Sequence, residues 1–174
     1  TKMSKTEDLD AILAEMAADE GTTAAKKAFY LAVAAMVSAL PAYLFCTPMF
    51  DLNVPDHGIV FALVTVVSAG ALSKAYDKIA TRSKAELMEE RGDVVNAPGE
   101  RLTKQQKADR LEAMENSTDT ESTAFALFRC NLIFFLSMLV LAFYFVPKLS
   151  SHIPTVGIYI LSVAGPSLML AARA

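Results

Sequence analysis

Residues 28–50 read AFYLAVAAMVSALPAYLFCTPMF, 23 residues without one Asp, Glu, Lys or Arg. A helix rises about 1.5 Å per residue, so this run reaches roughly 34 Å, enough to cross a hydrocarbon core about 30 Å thick. Three more runs free of those residue types follow at 58–73, 130–147 and 149–172, of 16, 18 and 24 residues. Together they take up almost half of the 174-residue chain, which is 53% hydrophobic, has a mean hydropathy of +0.36 and is nevertheless 20% charged. A soluble domain mixes its apolar and charged residues, whereas this chain segregates them. The segregation argues against a soluble enzyme, and two cysteines are too few for a disulfide-stapled secreted module.

These runs predict an all-α membrane protein with four transmembrane helices arranged as two hairpins. A cytosolic helical hairpin lies between the second and third. The expected boundaries are a cytosolic N-terminal segment 1–27, spans at 28–50, 58–73, 124–146 and 153–172, lumenal loops at 51–57 and 147–152, the cytosolic hairpin at 74–123 and a cytosolic end at 173–174. A cleaved signal peptide fits the first run poorly, because 27 mostly polar residues precede it and no short basic leader is present. Lys74, Lys78 and Tyr76 suit the membrane border, where they extend the short second run. Pro41 and Pro166 predict kinks, Pro154 suits a first helical turn, and Gly157, Ser162 and Gly165 are small enough for close helix approach.

Orientation follows from the basic residues. Lys2, Lys5, Lys26 and Lys27 precede the first span, ten Lys and Arg residues lie from Lys74 to Arg129, and Arg173 ends the fourth. The two opposite loops hold Lys148 alone, so the positive-inside rule places both termini and the middle segment in the cytosol. Asp51, Asp56, His57 and His152 on the far side do not amount to a metal site, since calcium takes six to eight oxygens and zinc needs further ligands. Neither a metal nor a cofactor is expected. Cys46 and Cys130 fall near opposite membrane faces, beyond disulfide reach, and are read as packing residues.

The middle segment is the one stretch large enough to act outside the bilayer. SKAYDKIATRSKAELMEERG reads as the second helix continuing into water and stopping at Gly92, and GDVVNAPGE as a turn. Thr103 with Gln106 predicts a capping box for a second short helix, and Thr118 with Glu121 repeats the pattern before the third span. Four bases and one acid occur from Lys74 to Lys84, and again from Arg101 to Arg110. Such clusters can hold phosphates of RNA or of anionic lipid. No aromatic residue interleaves with the second cluster, so backbone contact is favoured over base stacking. Residues 4–20 are expected to form an amphipathic helix with Leu9, Ile12, Leu13 and Met16 on one face; six acids and no base lie from Glu7 to Glu20, which disfavours anionic lipid and favours packing on the hairpin or on another subunit.

Catalytic and coupling chemistry is missing from the sequence. Ion-coupled carriers keep an ionisable residue at mid-depth, and no run has one. Arg129 stands at a span entrance, with Glu121 two turns earlier as its expected partner. There is no HExxH, phosphate loop or nucleophile with a base, so the protein is read as a non-enzyme.

Several stretches in order resemble the gamma subunit of the translocon-associated protein (TRAP) complex, also called signal sequence receptor subunit gamma. They are VSALP (37–41), LVTVVS (63–68), AYDK (75–78), LTKQQKADR (102–110), ESTAFALF (121–128) and PTVGIYILS (154–162). The similarity runs from about residue 26 to the end and leaves out the N-terminal amphipathic segment. The resemblance implies a non-enzymatic, multi-pass subunit of the endoplasmic reticulum membrane that joins other TRAP subunits beside the Sec61 channel. It implies a hairpin that touches the ribosome, through rRNA backbone and a ribosomal protein near the tunnel exit, to assist co-translational translocation. Carried over by position, Lys104, Lys107 and Arg110 become phosphate contacts, with Arg82, Lys84, Arg91 and Arg101 as further candidates. Acids at Glu86, Glu89, Glu90 and Glu100 make this hairpin less basic than the family's usual one. Calcium binding is attributed to the complex, but this chain offers no site for it. The alternative reading is a small four-span transporter or channel accessory subunit.

Overall fold

Long runs of Ala, Leu and Val with period-3.6 burial form the elements of the computed structural model, which describes residues 24–47, 50, 52, 54–95, 104–145, 148 and 154–174. They are helices α1 (Ala24–Phe45), α2 (Val54–Val95), α3 (Lys104–Val140) and α4 (Thr155–Arg173), with a π-helical turn, Leu141–Phe145, prolonging α3. Among the described residues there is no strand, and four helices are long and apolar enough to cross a membrane. The amphipathic segment expected at 4–20, the turn around 96–100 and the capping residue Thr103 lie outside the described residues.

The hairpin has its first arm as expected, a continuation of the second apolar helix, but its second arm is not the separate short helix expected. Its two arms are uninterrupted extensions of the second and third apolar helices. With 42 residues, α2 measures about 63 Å, twice the thickness of a hydrocarbon core. It passes through Gly92, expected as its stop, and continues to Val95. In the same way α3 runs through STDTE, where a new helix start was expected. The hydroxyls there do not cap. Thr120 Oγ1 donates to the Asn116 carbonyl and Ser122 Oγ to that of Asp119, both at 3.0 Å, folding back onto the preceding turn. Thr118 is fully buried and bonded to another helix. Asp56 and His57, expected in the connecting loop, belong to the start of α2, where the Asp56 carboxylate complements the helix dipole.

Helix α2 is the centre of the bundle, packing against α1, α3 and α4, whereas α1 barely meets α4. One stripe of α1 is buried, Tyr30, Ala34, Ser38, Pro41 and Phe45, while Phe29, Leu31, Met36, Leu40 and Tyr43 face outward. The seam of α3 recurs every fourth residue, from Thr118 and Ser122 through Ala126, Cys130, Phe134 and Met138 to Ala142. A four-residue step overshoots a 3.6-residue turn by about 40°, so the seam winds around the helix. That winding lets α3 meet α2 at Thr118 and Asn131 while the π turn packs on α4. Pro41 and Pro166 are buried within helices that continue past them. Gly157, Ser162 and Gly165 were all expected to allow close helix approach; a Cβ at Gly165 would meet nothing within 4 Å, whereas Ser162 is buried.

The two ends of the bundle close differently. At the α1–α2 turn, Phe45 stacks on Phe50 at 4.5 Å and meets Tyr159 edge-on at 5.1 Å. Phe61 meets the same Tyr159 at 4.9 Å, and Phe143 of the π turn approaches Phe50 at 5.9 Å. Aromatic rings from all four helical segments thus fill this end. Edge-to-face pairs of this kind contribute about 0.5–1.5 kcal/mol each beyond their burial. The opposite end is closed by polar contacts, and these shape the candidate site.

Candidate functional site

Where α2 and α3 leave the apolar layer, hydrogen bonds take over from aromatic packing. Tyr76 and Tyr30 have ring centroids 6.1 Å apart. The Tyr76 hydroxyl donates to Asn131 Oδ1, and Tyr30 Oη pairs with Thr123 Oγ1 at 3.2 Å. These contacts give buried hydroxyls the partners that burial demands.

Beyond them comes a lattice of ion pairs. Lys26 Nζ of α1 donates to Asp119 Oδ1 of α3 at 2.5 Å. Lys84 Nζ of α2 reaches Glu115 Oε1 at 3.3 Å and lies 3.9 Å from the same Asp119 carboxylate. The Lys84 and Glu115 side chains are only 19% and 22% exposed, which shields their attraction from full solvent screening. Arg91 divides its guanidinium between Thr118 Oγ1 at 3.1 Å and Glu121 Oε2 at 2.5 Å, and Ser117 Oγ also donates to Glu121 at 3.3 Å. A planar fork suits this two-partner role in a way an ammonium does not. The expected pairing of Glu121 with Arg129 is therefore corrected: Arg91 takes that carboxylate, and Arg129 is exposed on α3.

The sequence-derived basic residues take different positions. Lys84 and Arg91 brace one hairpin arm against the other. Arg82 stands out from α2 and pairs within its own helix with Glu86 at 3.1 Å, both side chains well exposed. Arg110 is exposed on α3. The backbones of Lys104 and Lys107 belong to the first two turns of α3, but their side chains, like Arg101 entirely, lie outside the described residues. Glu89, Glu90, Asp109 and Glu112 are exposed on the same arms, so charge of both signs faces solvent. Charge counting did not separate bracing from exposed cations. A lysine and an acid 31 residues apart give no local signal of their pairing.

Among the described residues no three His, Cys, Asp or Glu side chains gather into a metal-binding group, and Cys46 and Cys130 are free thiols. His57 lies at the start of α2, and His152 is outside the described residues.

Four helices are long and apolar enough to cross a membrane, and two of them are prolonged into polar arms braced against each other, the layout of a helical membrane protein. The family model described as translocon-associated protein, gamma subunit (TRAP-gamma) matches residues 8–173, nearly the whole chain, and the protein belongs to that family. The match begins at residue 8 rather than near residue 26, so it takes in most of the amphipathic segment that the quoted stretches left out. The family is one of translocon-associated subunits, not of known enzymes.

Proposed function

We propose that this chain is the ribosome-facing anchor of a translocon-associated complex in the endoplasmic reticulum membrane. Its four helices cross the bilayer with both termini and the α2–α3 hairpin in the cytosol. The hairpin holds the complex to the ribosome beside the Sec61 channel, so that the other TRAP subunits stand where nascent chains emerge. The observation that carries the reading is mechanical. Both hairpin arms are unbroken extensions of apolar helices, tied together by Lys84–Glu115 and Arg91–Glu121 and to α1 by Lys26–Asp119. A force on either arm passes into the spans along an unbroken helix. In this reading Lys104, Lys107, Arg110 and Arg101 contact rRNA phosphates, with Arg82 as a lateral contact, while Lys84 and Arg91 hold the arms in place.

Photo-crosslinkers placed at exposed positions of the arms, such as Gln106 and Glu112, test the assignment in native microsomes. Adducts with large-subunit rRNA or a ribosomal protein are expected. Adducts confined to lipid and membrane subunits would reject it.

A further inference from the structure

Lys27 immediately precedes the first charge-free run, and Lys74 immediately follows the second. The helices that carry them are adjacent and antiparallel, with the Tyr30 and Tyr76 rings 6.1 Å apart, so Lys27 and Lys74 stand on either side of this tyrosine pair, offset along the helices by about 7–8 Å. Between them is an open groove of about 350 Å³, lined by Lys27, Tyr30 and Leu31 of α1 and by Ser73, Lys74 and Asp77 of α2. The neighbouring Lys26 is engaged by Asp119, whereas Lys27 and Lys74 are in no ion pair among the described residues. The groove is chiefly apolar, with Leu31 on one wall, and Lys27, Lys74 and Asp77 contribute to its lining.

We propose that this groove binds the headgroup of one phosphatidylserine molecule. The inference rests on the membrane-spanning reading and is independent of ribosome binding. The complementarity lies in the charge count. Phosphatidylserine carries two anionic groups, a phosphodiester and a carboxylate, and one ammonium; the groove offers two ammonium groups and one carboxylate. Phosphatidylcholine and phosphatidylethanolamine lack the second anion, and phosphatidylglycerol lacks the cation. Lys27 and Lys74 receive the phosphate and carboxylate oxygens. A carboxylate has about four acceptor positions, so Asp77 can take the lipid ammonium alongside its other contacts. An acyl chain then descends along Leu31. Basic recesses between transmembrane helices on the cytosolic side are established settings for anionic headgroups.

The test uses the full-length protein in phosphatidylcholine bilayers with chain-spin-labelled phosphatidylserine, phosphatidylglycerol or phosphatidylcholine as probe. Electron spin resonance of the motionally restricted fraction gives relative affinities. The wild type should favour phosphatidylserine over phosphatidylcholine by about fivefold, the scale of one lysine near a membrane surface. K27Q/K74Q should bring that ratio close to one, K27R/K74R should keep it, and D77N should erase the preference for phosphatidylserine over phosphatidylglycerol. K78Q, which removes an exposed lysine of α2 outside the groove, should lower the ratio far less than the double variant does. A wild-type ratio of one overturns the proposal. So does a K78Q loss equal to that of the double variant, because the selectivity would then belong to the general basic face.

Discussion

The Lys26 ammonium of α1 and the Asp119 carboxylate of α3 meet at 2.5 Å, although 93 residues separate them in the chain. Lys84 of α2 stands 3.9 Å from the same carboxylate, so one acid gathers a cation from each of two neighbouring helices. This junction joins the start of the first apolar helix to the base of the hairpin. It makes the hairpin part of the bundle.

Replacing Asp119 with Asn should therefore loosen three helices at once. Partly exposed pairs contribute modestly, so each single substitution at Lys26 or Asp119 is expected to cost about 1 kcal/mol. A double-mutant cycle with K26Q and D119N, read by thermal unfolding in lipid nanodiscs, should show non-additive losses. Simple additivity would mean that the two side chains do not interact.

Arg91 makes a sharper case, because its guanidinium serves Thr118 and Glu121 together. R91K keeps the charge but cannot hold both acceptors in one plane. Amide exchange around residues 88–92 and 117–121 should quicken in R91K as well as in R91A. Wild-type protection in R91K would show that charge alone suffices.

The Tyr76–Asn131 contact predicts a compensating pair. Y76F leaves a half-buried amide without its donor and should cost about 1–3 kcal/mol, the penalty of a stranded polar group. Adding N131L removes the stranded group and should restore much of that loss. Equal instability of Y76F and Y76F/N131L would contradict the pairing.

At the other end of the bundle, F45A should be among the most damaging substitutions, costing about 3–5 kcal/mol, because the ring is fully buried between Phe50 and Tyr159. Phe128 on the outer face of α3 is the control: F128A should leave the unfolding temperature nearly unchanged.

Much of this architecture was legible in the charge-free runs, since covering a hydrocarbon core imposes length and composition together. Thr118 shows where that legibility ended. Followed three residues later by Glu121, it carries the local signature of a helix start, yet both side chains answer to Arg91 on another helix. A cap is a local signal, whereas a buried threonine bonded across a hairpin depends on the register between two helices. Gly92 makes the same point: a frequent helix stop lies inside α2 because the helix continues through it. The basic clusters could be counted from the sequence. That Lys84 turns inward to Glu115 while Arg82, two residues away, stays on the surface is decided by packing on α3.

Salt-titrated binding to ribosomes tests whether Lys104, Lys107 and Arg110 hold ribosomal phosphates. Each phosphate contact releases counterions, so affinity should fall steeply with salt, and the slope counts contacts. Detergent-solubilised complexes carrying K104E/K107E/R110E should bind weakly at low salt, with a log–log slope shallower by about 2–3 than wild type. Wild-type affinity and slope in that variant, with its fold intact, would rule out phosphate contacts by these three residues.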